Sequence, residues 1–291
     1  MQEILSRGDK VIATGRNVAE RLASLKTDSN SESLKFLELD ISSPREAIFS
    51  KINQAWTIFG HIDIVFNNAG MSSMGTCEEA SESYIQNMFT VNFFGPLNVT
   101  QAVLPLFRAR GTGTLAFTSS STAWAPLPFM SHYAASKAAL SAYVESLSTE
   151  VKPQGIKTVA FECGGFPTHL GQPRDDDAAG FGAQGTAIAE YGPMLNEIGT
   201  MFASDPMMYM PGDLAKVAPR MVDVIKGEGI AAGKPWTVRV LFGSDAYATV
   251  KQKCDQMSSL LESWRDVSHS TDRDGHPGGT TLQYLDFVSM L

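Results

Sequence analysis

Tyr133 and Lys137 stand four residues apart in the run HYAASKAAL. On a helix that spacing puts both on one face. A free tyrosine titrates near ~10 and is a poor base at neutral pH. A lysine ammonium one turn away favours the phenolate and lowers that value. A phenol tuned in this way can give or take a proton at a carbonyl or alcohol oxygen. Ser120 precedes Tyr133 by thirteen residues, at the end of a predicted strand. Its hydroxyl can hold the same oxygen. Taken alone, a Tyr-x-x-x-Lys pair is more often a solvated pair on a helix surface.

The elements that would position these groups alternate along the chain. Residues 10–14 (KVIAT) read as a strand, and 17–26 as a helix with Val18, Leu22 and Leu25 on one face. A second strand covers 34–39 and ends at Asp40. Ser43 before Pro44 starts a helix that runs to about Phe59. Residues 62–66 form an apolar strand that leads into Asn67-Asn68-Ala69-Gly70. A long helical stretch spans about 81–107, bent at Gly95-Pro96. Strands at 114–118 and 157–161 flank a helix at 131–151. Residues 164–212, rich in Gly, Pro, Met and Asp, break the rhythm as a long substrate-binding insertion or lid. A helix at about 212–226, a strand at 236–241 and a helix at about 245–266 close the pattern. The end of the chain, 268–291, reads as a mobile tail. Strands separated by helix-length segments point to an α/β fold, a doubly wound parallel sheet in a single domain over 1–291.

Composition narrows the function. The 291 residues are 43% hydrophobic and 19% charged, with 25 Gly and 14 Pro, which excludes wholesale disorder, collagen and coiled coil. A net charge of −8 makes nucleic acid a poor ligand. No apolar run has the ~18 residues of a membrane span, and the first residues lack a signal-peptide core. Cys77, Cys163 and Cys254 form no CxxC pair, so neither a disulfide framework nor a zinc site is expected. These readings point to a cytoplasmic protein.

The motifs together carry more than any one of them. Asn67-Asn68-Ala69-Gly70 after a strand, Asn92 in VNFFG, Ser120 and Tyr133-Ala-Ala-Ser-Lys137 occur in one order. In these the sequence resembles the short-chain dehydrogenase/reductase family, over roughly residues 3–265. The run VRVLFGSDAYATVKQK, with Trp264 beyond it, is similar to the 17β-hydroxysteroid-dehydrogenase-like branch. The resemblance implies a Rossmann-type fold and a nicotinamide cofactor. It makes Tyr133 the catalytic acid or base. Lys137 would lower its pKa and bind the nicotinamide ribose. Ser120 would orient the substrate oxygen, and Asn92 would hold a water in a proton relay. Asn68, Ala69 and Gly70 would line the adenosine-ribose side of the cofactor. Asp40 would bond the adenine amino group, and Thr168 the cofactor's amide or phosphates. Cys163 stands where the family usually has proline. Family members often form homodimers or homotetramers, and the resemblance carries that expectation here.

Gly15-Arg16 follows the first strand of the sequence. An acidic residue there would suit the ribose 2′-hydroxyl of NAD, whereas arginine suits the 2′-phosphate of NADP. The cofactor expected is therefore NADP(H) over NAD(H). The family's first strand and its Gly-rich turn, T-G-x-x-x-G-x-G, find no match ahead of QEILSRG. The string Gly180-Phe-Gly182-Ala-Gln-Gly185 follows no strand, so it lacks the context of a phosphate loop. In the family sheet order, 3-2-1-4-5-6-7, the unmatched strand is central and buried on both faces. Three or four aliphatic side chains there represent roughly 5–12 kcal/mol of burial, against a net domain stability of ~5–15 kcal/mol. Three readings stand: a misassigned or trimmed start, direct pairing of the strands on either side, or a partner segment that supplies the strand.

Trp124, Phe129, Phe166 and Tyr209, with Tyr191, Met207 and Met208, are candidate substrate-lining residues. Their bulk suggests an apolar substrate of steroid, polyketide, terpenoid or alkaloid type, as in secondary metabolism. Each is also ordinary core material. Asp175-Asp176-Asp177 reads as a solvated turn, and no metal is expected. The expectation is an NADP(H)-dependent oxidoreductase acting on a carbonyl/alcohol pair. The alternatives are a redox-neutral isomerase or cyclase on the same scaffold, and a non-catalytic binding protein.

Overall fold

Short apolar runs become strands and the segments between them become helices in the computed structural model, which describes residues 1–72, 74–168, 170 and 186–276. In chain order the elements are α1 (Gln2–Ser6), β1 (Val11–Gly15), α2 (Val18–Arg21), β2 (Leu34–Glu38), α3 (Arg45–Ile58) and β3 (Ile64–Asn67). Next come α4 (Glu82–Phe89), a π turn (Thr90–Phe94), α5 (Gly95–Arg110), β4 (Gly113–Ser120), α6 (Ser131–Val151) and β5 (Ile156–Cys163). After the insertion follow α7 (Gly192–Ser204), α8 (Pro206–Tyr209), α9 (Leu214–Lys226), β6 (Arg239–Phe242), α10 (Ser244–Ser263) and α11 (Arg265–His269).

All strand pairs are parallel, and they form two sheets: β1-β2, and β3-β4-β5-β6. Direct pairing of the strands that flank the unmatched position does not occur: β1 and β3 are not hydrogen-bonded neighbours. The sheet therefore stays split at that position.

The four-stranded sheet is covered on both faces. Leu115 and Phe117 of β4 face α3, α5 and α6, packing with Ile48, Ile52, Val103, Phe107, Leu140 and Val144. Ala116, Val159 and Phe161 face the other way, toward Met221, Val224 and Ile225 of α9. Parallel strands buried on both faces read as continuous apolar runs, as LAF and VAF do here. Fully buried Phe107, Phe117 and Phe161 each contribute about 1.5–3 kcal/mol of burial. Gly95 lets α5 press on the segment after β2, because a Cβ there would run into the side chain and carbonyl of Ile41.

Three expectations change. The helix over 17–26 is a single turn, α2, followed by a 3-10 turn at Ala23–Leu25. Within α2 only Val18 is buried, and Leu22 lines an open cleft, so the apolar face lacks the packing that sustains a longer helix. The break in the 81–107 stretch is the π turn just before Gly95, rather than a bend at Gly95-Pro96. Toward the end of the chain, Ser268 and His269, expected as tail, are the last residues of α11. Residues 277–291, Asp175–Asp177 and the 180–185 glycines lie outside the described residues.

Candidate active site

Ser120 ends β4, in register with Cys163 at the end of β5. Its Oγ accepts hydrogen bonds from Thr122 N at 3.2 Å and Thr122 Oγ1 at 3.0 Å, and it also bonds the Tyr133 hydroxyl. Tyr133 and Lys137 lie in the first two turns of α6, both buried. Lys137 Nζ donates to Thr118 O at 2.8 Å and sits 5.9 Å from the Tyr133 ring centroid.

Electrostatics depart from the simple expectation. Burial pushes the Tyr133 phenol up to about 12; the bond with Ser120 pulls it down, and the Cys163 thiol pushes it up further. Lys137 is not among the groups that set this value. Its ammonium donates to the Thr118 carbonyl. Burial in turn brings Lys137 down to about 8, opposed by Cys163. The Cys163 thiol is driven up to about 12 by burial, against the pull of Lys137. It is therefore an inert thiol that faces the tyrosine and lysine.

Asn92 sits in the π turn, a distortion frequent at functional sites. Its Oδ1 accepts from Met71 N at 2.9 Å, and its Nδ2 donates to Met71 O at 2.9 Å and Ser136 Oγ at 3.0 Å. It thus ties the loop after β3 to α6. A Cβ on Gly70 would lie 3.4 Å from Asn92 Oδ1 and 3.5 Å from Lys137 Nζ. Gly70 keeps that approach to both groups open.

These groups border a cleft of about 2000 Å³. Arg16, Asp40, Asn68, Ala69, Gly70 and Thr168 all line it, together with Ser120 and Tyr133. Asp40 Oδ1 is occupied by the Ser42 amide and hydroxyl at 2.8 and 2.7 Å. Of the expected substrate residues, Phe166, Met208 and Tyr209 line the cleft. Trp124, Phe129, Tyr191 and Met207 do not. Trp124 Nε1 donates to Glu162 at 2.7 Å, and its ring stacks 4.0 Å from the Arg239 guanidinium. Phe129 packs edge-on against Tyr191, and Met207 is 83% exposed.

Several residues that build the site escaped the sequence reading. Glu162 is 1% exposed on β5. It accepts from Trp124, from the Ser141 hydroxyl at 2.8 Å, and from Arg239 Nε and Nη2 at 2.8 and 2.5 Å. Ser141 also bonds Ser119, the residue before Ser120, at 2.8 Å. A lone carboxylate inside the apolar run TVAFEC was the available signal. Glu38, at the end of β2, accepts from the amides of Asn17 and Val18 at 2.7 and 3.2 Å. Glu79 accepts from Thr186 Oγ1 at 2.6 Å and Ala187 N at 2.8 Å, fastening the insertion to the loop after β3. These hydrogen bonds hold its carboxyl below the usual range. The insertion's far end returns where Gly212 N donates to Gly165 O at 2.9 Å.

The model of the short chain dehydrogenase family matches residues 1–179. The chain belongs to that family. Among curated short-chain dehydrogenases and their relatives, an NADPH-dependent 1-acyldihydroxyacetone phosphate reductase of Saccharomyces cerevisiae is 33% identical over 174 residues. That match covers 60% of this chain and 58% of the yeast protein. An oxidoreductase of Botryotinia fuckeliana is 26% identical, over 91% of this chain and 90% of its own. A solved short-chain dehydrogenase from Streptomyces avermitilis superposes with a TM-score of 0.79 at 28% identity, covering 92% of each chain. Among the described residues no helix is long and apolar enough to cross a membrane, and no group of three or more His, Cys, Asp or Glu could hold a metal ion.

Proposed function

We propose that this short-chain dehydrogenase is an NADP(H)-dependent oxidoreductase that interconverts a carbonyl and an alcohol on an apolar small molecule. The observation that carries the reading is the placement of Ser120 beside Tyr133, close enough to lower its pKa, at the wall of the large cleft. The cleft residues suit a nicotinamide dinucleotide. The backbone of Asn68–Gly70 is open to it, Asp40 keeps one carboxylate oxygen outside its bond to Ser42, and Arg16 is exposed at the rim. Glu38, at the end of β2, is spent on backbone amides, and the residue that follows β1 is Arg16 rather than a carboxylate. This supports NADP(H) over NAD(H). The bound nicotinamide supplies or accepts the hydride.

The chain's own groups handle the proton. A phenol held at about 12 is fully protonated at neutral pH, so Tyr133 is poised as an acid toward a carbonyl oxygen. Ser120 orients that oxygen from the other side. Lys137 secures the end of β4 through Thr118 O, and Asn92 holds the loop that carries Gly70 and Met71. Phe166, Phe202, Met208 and Tyr209 give the substrate end an apolar, bulky lining, which supports a substrate of steroid, polyketide, terpenoid or alkaloid type. A single domain, a cytoplasmic location and a homodimer or homotetramer complete the proposal.

The test is NADPH oxidation by the Tyr133→Phe variant across a panel of bulky ketones. A fall of about 10²–10⁴-fold in kcat is expected, with reduction by the parent level between pH 6 and 9. Unchanged turnover in the variant overturns the role of Tyr133. Turnover by the parent in cofactor-free buffer replaces the reading with redox-neutral chemistry.

A further inference from the structure

We infer that Glu162 is a positioning residue of the active site: its two carboxylate oxygens clamp the chain on either side of Ser120 and so fix where the Ser120 hydroxyl sits. The inference rests on the role proposed above for Ser120.

The sheet brings the clamp and the serine together. β4 and β5 run in parallel register, with Ser119 opposite Glu162 and Ser120 opposite Cys163. Successive side chains of a strand point to opposite faces. Glu162 therefore shares a face with Ser119, and Cys163 shares the other with Ser120. Ser120 and Cys163 line the cleft. Glu162 does not line it and is 1% exposed.

Each oxygen holds a different segment. Oε1 accepts from the Ser141 hydroxyl at 2.8 Å, and Ser141 Oγ lies 2.8 Å from Ser119 Oγ. This arm pins the residue just before Ser120. Oε2 accepts from Trp124 Nε1 at 2.7 Å. Trp124 closes the turn that follows Ser120, where its amide donates to Ser121 O at 3.0 Å. This arm pins the chain just beyond Ser120. Between the two arms, Ser120 Oγ accepts from Thr122 N and Thr122 Oγ1.

The partners require a carboxylate. Trp124 Nε1, the Ser141 hydroxyl, and Arg239 Nε and Nη2 all donate to Glu162. An ionised carboxylate only accepts, whereas an amide offers one oxygen and one NH2. A glutamine here would turn its NH2 toward a donor in either orientation. Arg239 supplies the opposite charge, and its guanidinium also lies 4.0 Å from the Trp124 ring centroid. A buried ion pair returns little net stability compared with apolar residues of the same volume. The segments that Glu162 holds, on both sides of Ser120, account for a charge at this place.

The test cuts one arm at a time. Ser141→Ala and Trp124→Phe each remove one arm and leave the carboxylate paired with Arg239. Hydrogen exchange at the Thr122 amide, which is bonded to Ser120 Oγ, reports the serine's position without substrate. The Leu115 amide, in the body of β4, reports general loosening. Each variant should speed exchange at Thr122 at least tenfold and leave Leu115 unchanged. In ketone reduction kcat should fall at least tenfold, with KM for NADPH within twofold. Glu162→Gln should show the same pattern. In the Trp124→Phe background it should add little, because its NH2 no longer meets an indole N–H. Unchanged exchange at Thr122 overturns the proposal. So does equal acceleration at Thr122 and Leu115, which is a merely structural role, or faster exchange with undiminished kcat, or additive losses in the double variant. A parent chain that reduces no ketone fails the carbonyl reading alone, and exchange at Thr122 then decides the clamp.

Discussion

The two sheets of this short-chain dehydrogenase share one direction of strands and very different degrees of completion. The sheet β3-β6 carries Ser120 and backs Tyr133 and Lys137, and its strands are buried on both faces. The sheet β1-β2 carries Arg16 and Asp40 at its ends, and one of its edges faces the open cleft. A two-stranded sheet is marginal by itself. Here β1-β2 is held from outside. Arg7, just after α1, bonds Glu3 at 2.6 Å and both Asp223 and Glu228 at 2.8 Å. Ile41, just beyond β2, packs on the main core. The contrast teaches that the proton-transfer machinery is built by packing, whereas the expected dinucleotide side is built by tethers around a gap.

The sharpest way to break this contrast is to unlock the packed side from within. Glu162 joins β5 to Trp124, Ser141 and Arg239. Glu162→Ala leaves a partly buried guanidinium and two polar partners without their acceptor. A loss of about 3–5 kcal/mol is expected in denaturant unfolding. Because Ser141 also bonds Ser119, kcat should fall more than KM rises. A stability change below about 1 kcal/mol would show that the network is ornamental and the contrast overstated.

The next test makes one kind of cut in each sheet. Leu115 on β4 is fully buried, and Ile64 on the free edge of β3 is 41% exposed. Leu115→Ala should cost about 2–5 kcal/mol, and Ile64→Ala less than about 1 kcal/mol. Similar costs at the two positions would mean that the gap is closed in solution.

These sites also show what the sequence made legible. The strands of the core, α6 and the residues Ser120, Tyr133 and Lys137 followed from apolar runs and fixed spacing, because local pattern and tertiary packing agree there. Trp124 and Phe129 are not among the residues that line the cleft: aromatic bulk reveals size but not direction. Trp124 Nε1 is held by a carboxylate 38 positions distant. Helical spacing places Tyr133 and Lys137 on one face but does not say where each polar end finds its partner, as the bond from Lys137 to Thr118 O illustrates. The split sheet lay beyond periodicity, because β1 and β3 keep the same apolar pattern whether or not a strand lies between them.

Titration sharpens the packed side further. Lys137 sits at about 8 in the folded chain, below its ordinary value of 10.5. Between those two values the unfolded chain binds more protons, so the Lys137 contribution to stability rises with pH across that window. Tyr133 and Cys163, both raised to about 12, act in the opposite sense above their ordinary values. The difference between the parent chain and Lys137→Met removes those shared terms. That difference should grow in favour of the parent from pH 8 to 10.5, on the order of 2–3 kcal/mol. A flat difference would place the ammonium in water and contradict its burial.

The smallest effect belongs to the tethered side. Arg16 is exposed, and its neighbour Glu38 is bound to the Asn17 and Val18 amides. Arg16→Asp exchanges a cation for a carboxylate at the rim without disturbing those bonds. The ratio of NADPH to NADH affinity should fall about tenfold, equivalent to about 1.4 kcal/mol, while the melting temperature stays within a degree or two. Tight NADPH binding that ignores this change would move the 2′-phosphate away from β1. An equal loss for both cofactors would instead show that β1-β2 is held too loosely by its tethers to discriminate between them.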